Sequence, residues 1–119
     1  MAKVKFASGP IGKEQALQIS EASIGQSLAH LIELLTEYTD KLVRWNEEYA
    51  RLTEAKRVDS LGQLHLRFRQ FLPTAKKLAQ FASQRLTWST DPLVNLELEL
   101  RLVEFEAAYL FAMKLVEKS

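Results

Sequence analysis

Leu28, Leu31, Leu35, Tyr38, Leu42, Trp45, Tyr49 and Leu52 follow one another at alternating steps of three and four residues. At 3.6 residues per turn such spacing lines one face of a helix from end to end, so this stretch is a long helix that buries a single seam. Its opposite face carries Glu33, Asp40, Glu47 and Glu54, one acid per heptad. Glu37 with Lys41, Asp40 with Arg44 and Glu47 with Arg51 have the i,i+4 spacing of helical ion pairs. Ser23 and Gln26 have the spacing of a capping box, which predicts a helix over 23–56. That is about 50 Å of helix, whereas a compact chain of this length has a radius of gyration of only about 13–14 Å. An elongated domain follows.

A second seam comprises Leu61, Leu64, Phe68, Phe71, Ala75, Leu78 and Ala82. Ser60-Leu61-Gly62-Gln63 echoes Ser23-Ile24-Gly25-Gln26 and predicts a second helix over 60–87. Pro73 falls on the solvent side and leaves the seam in phase, so a kinked single helix is expected rather than two short ones. Trp88 to Pro92 reads as a turn, with Asp91 as N-cap and Pro92 at the first position of a third helix over 91–117. Leu96, Leu98, Leu100 and Leu102 alternate with Glu97, Glu99 and Arg101, the pattern of a strand. Leu, Glu and Arg favour helix, however, and no β-branched cluster supplies a partner strand, so the segment is read as helical.

The expected fold is therefore all-α, an elongated antiparallel three-helix bundle in up-down-up order. Residues 1–22 form an arm or short extra helix, and residues 23–119 form the bundle. As a helix, the third segment has two opposed apolar stripes. One is Leu93, Leu96, Leu100, Val103, Ala107 and Leu110; the other is Leu98, Leu102, Phe105, Tyr109, Ala112 and Val116. A bundle covers one of them, and the second needs a partner. We assign the partner face to Leu98, Leu102, Phe105, Tyr109, Ala112 and Val116. An identical subunit is expected to cover it, giving a homodimer; Phe6, Ile11, Leu17 and Ile19 of the arm are the other candidates. Ala107 to Met113 carries no charge and is expected to be buried on nearly every side.

Zero cysteine excludes disulfides, thiolate metal sites and cysteine nucleophiles together. His30 and His65 have no metal-ligand spacing, and the carboxylates of the first helix stand about 10 Å apart, too far to share a proton. Trp45, Tyr38 and Tyr49 belong to the first seam and read as core; Trp88 reads as a cap on the bundle end or an exposed anchor. No catalytic residue, cofactor or metal is expected. His65-Leu66-Arg67-Phe68-Arg69 places basic side chains beside a histidine, as in phosphotransfer bundles, but lacks the Lys-Gly that follows the phosphorylated histidine there. The N-terminus has no apolar run of signal-peptide length and no segment is long enough to span a membrane, which predicts a soluble, cytoplasmic protein.

The charge is +1 overall but unevenly spread. Residues 56–90 hold seven basic residues against one acidic, a net +6, between two segments of −3 each. Charge complementarity between helices accounts for this, and phosphate contact through Arg69, Lys76 and Lys77 is the alternative. The leading functional expectation is a non-catalytic interaction module, an adaptor, chaperone-like or assembly protein that presents helical faces to a protein partner. Nucleic-acid binding or regulation through the basic middle helix is the second, and a phosphotransfer component the third.

Overall fold

The computed structural model describes residues 13–117, and their side chains from residue 25 onward. Three helices account for nearly all of it: α1 (Lys13–Glu54), α2 (Val58–Ser83) and α3 (Pro92–Glu117). Among the described residues there is no strand, and each helix packs against both others. The fold is an all-α three-helix bundle. Its radius of gyration is 18.7 Å and its extents are 64 × 30 × 17 Å, so it is a rod.

The long axis is set by α1, whose 42 residues extend about 63 Å. Its start lies ten residues before the expected one, and Ser23 sits inside the helix rather than capping it. Ser60 is likewise inside α2, which begins two residues earlier behind Arg57, with no side-chain cap. The joint between the helices explains the early start. Arg57 N–H donates to Leu52 O (3.0 Å) and Lys56 N–H to Thr53 O (3.1 Å), a Schellman motif that closes α1. Lys56, at φ 57°, supplies the left-handed residue that such a motif requires. Only three residues separate the helices, so α2 starts as soon as the chain has reversed. The arm residues Phe6 and Ile11, and the side chains of Leu17 and Ile19, lie outside the described region.

Both expected seams form the core. Leu28, Leu35 and Leu42 of α1 and Phe68, Ala75 and Ala82 of α2 are fully buried. Tyr38, Trp45 and Tyr49 make the α1–α2 joint aromatic, as the core role read from their spacing requires. Trp45 meets Phe68 and Phe71 edge-on at 5.5 and 5.4 Å, and Tyr38 meets Phe71 at 5.0 Å. Each such pair contributes about 0.5–1.5 kcal/mol beyond area burial. Lys41 does not pair with Glu37; its ammonium lies 5.1 Å from the Phe71 ring centroid. Arg51 pairs with Glu48 rather than Glu47, and Arg101 pairs with Glu104.

Pro73 is exposed inside α2, which runs unbroken through it. α2 ends at Ser83, four residues short of the expected end. Arg85 folds back there: its guanidinium donates to Phe81 O (2.8 Å) and lies between the Phe81 and Trp88 rings. The start of α3 is built as expected. Asp91 Oδ1 accepts from Leu93 N–H (3.0 Å), and Pro92 takes the first helical position, where no backbone donor is needed. Ser89 and Asn95 add a reciprocal clasp, Ser89 N–H to Asn95 Oδ1 and Asn95 Nδ2 to Ser89 O, both 3.0 Å.

Candidate functional site

On a helix, residues two apart lie about 200° around the axis, so the Leu-Glu alternation of α3 sends successive leucines to opposite sides. Leu98, Leu102, Phe105 and Ala112 are buried against α1 and α2, and Tyr109 and Val116 pack at the margin of the same core. This corrects the assignment of those six residues to a partner: they are the face that the bundle itself consumes. The outward row is the other stripe. Leu93 is 73% exposed, and Leu96, Leu100, Val103 and Leu110 are 50–58% exposed. The uncharged segment from Ala107 to Met113 is not enclosed either, since Leu110 and Phe111 are more than half exposed. The row amounts to roughly 600 Å² of apolar surface, the upper end of what a monomer leaves in one patch.

Beside this row, α1 and α3 enclose a groove of ≈ 590 Å³. Val43, Ala107, Ala108 and Phe111 give it an apolar floor, with Thr36 and Thr39 on the α1 wall. Both hydroxyls are committed to their own helix, Thr36 to Ile32 O (2.9 Å) and Thr39 to Leu35 O (2.6 Å), so they leave the wall effectively apolar. Asp40 and Glu47 stand along the α1 lip and Glu104 along the α3 lip, the last paired with Arg101 at 3.3 Å. At the bottom is Asn46, 9% exposed. Its Nδ2 donates to Ala108 O (3.3 Å), and its Oδ1 is buried without a hydrogen-bond partner. The donor requirement of the carbonyl fixes the amide's orientation.

Arg69, Lys76 and Lys77 are exposed on α2. Lys76 shares a groove with Glu106 and Tyr109 of α3, yet no α2 base forms an ion pair with another described residue. The two ion pairs among the described residues each lie within one helix, so the basic middle segment is not neutralised by direct pairing to its neighbours. His65 is half-buried, its Nε2 3.3 Å from Val116 O. A carbonyl only accepts, so Nε2 carries the proton in this contact. His30 is exposed. No group of three or more His, Asp and Glu side chains among the described residues is placed to hold a metal. None of the described helices is long and apolar enough to cross a membrane.

Sequence reasoning missed Asn46, Val43 and Phe111. The residues Ile32, Thr36, Thr39, Val43, Asn46 and Ala50 repeat the four-three step on a second line of α1, and that line was the available signal. The chain matches no protein-family model, no curated protein and no solved structure.

Proposed function

We propose that the chain is a non-catalytic helical interaction module whose working surface is the outward face of α3. The observation that carries this reading is the row from Leu93 to Leu110, half or more exposed along a helix whose opposite face already fills the core. A bundle helix normally spends its apolar residues on one stripe and presents polar groups to water. Here the second stripe adds nothing to the bundle, and leaving it in water favours its burial by another surface. An adaptor, chaperone-like or assembly role uses such a face.

A photo-crosslinking residue placed at Leu100, in the full chain and in the cells that express it, tests the proposal. A discrete adduct from position 100, absent from a control at Gln70 on the exposed face of α2, is the expected outcome. Indistinguishable behaviour of the two positions refutes it.

Nucleic-acid binding through α2 is the second reading, and the lack of an ion pair from Arg69, Lys76 or Lys77 to any described residue favours it. A labelled duplex titrated across a salt series separates the two. Phosphate recognition lowers log K by about 0.9 per phosphate neutralised for each decade of salt, and an affinity indifferent to salt removes this reading.

A further inference from the structure

We infer that the α1–α3 groove seats one helix of a partner protein, carrying an apolar stripe flanked by lysine or arginine, so that the complex becomes a four-helix bundle. This rests on the interaction reading above and extends it to the groove beside that row. The lips carry the argument. Glu33, Asp40, Glu47 and Glu54 repeat every seven residues along α1, all exposed, and Glu97 and Glu104 repeat at the same interval on α3. Among the described residues, Glu104 is the one of these six that is ion-paired, to Arg101, the single base lining the groove. Two acid rows in heptad register beside an apolar floor reproduce the flanks of a helix–helix seam, where e and g charges select the incoming helix. A helix laid on Val43, Ala107 and Phe111 places its own flanking positions against both rows. Lysine or arginine there is matched, and glutamate is repelled.

The same charges argue against the other occupants. A second copy presenting α3 sets acid rows against acid rows. A second copy presenting α2 offers basic residues but no stripe, because its exposed large apolar residues are Val58, Leu66 and Phe81, eight and fifteen residues apart, with Gln70, Pro73 and Thr74 between the last two.

Two fluorescein-labelled helical peptides of about three heptads, with one leucine seam and either lysine or glutamate on both flanks, are titrated by anisotropy against the full chain. The lysine peptide is expected to bind at least about tenfold more tightly at low salt, with the ratio shrinking as the Debye length falls. The exposed triple variant Asp40→Lys/Glu47→Lys/Glu104→Lys is expected to invert the preference. Val43→Glu is expected to abolish binding of the lysine peptide, with an unchanged circular dichroism melt as the check on folding. Equal binding of the two peptides, or no inversion, overturns the basic occupant while the interaction reading stands. Failure of both peptides, together with a dimer in sedimentation that Val43→Glu splits, overturns it in favour of a second copy. Failure of both peptides with no adduct from Leu100 removes the interaction reading as well.

Discussion

Replacing Asn46 by leucine is expected to make the protein more stable. The side chain is 9% exposed, and its Oδ1 has lost water without gaining a donor. Such an orphan costs about 1–3 kcal/mol. The one bond the amide makes, Nδ2 to Ala108 O at 3.3 Å, is longer than the usual N–H···O range and is worth about 0.5–1 kcal/mol. Burying a leucine side chain in its place contributes about 1.5–3 kcal/mol. Against this stands the larger volume of leucine, an overpacking cost of about 1–3 kcal/mol in a closed core. The site lines the groove above it, so the two methyl groups that replace Oδ1 and Nδ2, though bulkier, have room. The net is a gain of about 1–2 kcal/mol, equivalent to a rise in Tm of roughly 4–8 °C. Urea denaturation followed by far-ultraviolet circular dichroism measures it: the midpoint moves up with an unchanged m-value. A cooperative transition at a midpoint lowered by more than about 1 kcal/mol refutes the reasoning, because it means that Oδ1 has a partner on which α1 and α3 depend.

Three further predictions follow the same geometry. Leu98→Glu puts a carboxylate in a fully buried site and is expected to unfold the bundle. Leu100→Glu, two residues away but 56% exposed, is expected to shift stability by no more than about 0.5 kcal/mol in the same assay. If both variants melt alike, the orientation of α3 is wrong. Lys56→Gly relieves a side chain held in the left-handed region and is expected to raise stability by about 0.5–1 kcal/mol, read from the thermal midpoint. Gly62→Ala does the opposite exchange inside α2, where an added Cβ meets nothing within 4 Å, and is expected to add about 0.5–1 kcal/mol by the same measurement.

The core of α1 and α2 is legible in the sequence because each helix has one apolar face, and a three-four step then leaves no choice of side. α3 is different. Its two stripes have the same period, and periodicity alone does not say which one turns inward. The residues at the ends of the stripes do. The row through Leu110 continues to Lys114, an exposed ammonium, whereas the row through Ala112 continues to Val116. Small residues at Ala108 and Ala112 also let α3 approach its neighbours closely. The helix starts divide in a similar way. Ser-x-x-Gln is a loose signal, and both copies of it fall inside helices. Asp-Pro is a strict one, because proline fixes φ and removes the donor, and α3 begins there. Asn46 escaped notice because a polar residue beside Trp45 and Glu47 reads as part of the solvent face until the groove is seen.

Three is an odd number of passes. A chain that runs up, down and up leaves the bundle at the end opposite to the one by which it entered, and α1 alone occupies nearly the whole 64 Å of the long axis. The described chain therefore starts and finishes near opposite ends of the rod. Whatever is joined near Lys13 and whatever is joined near Glu117 are held apart by the length of the rod, while a helix seated in its side groove rides on the shaft between them.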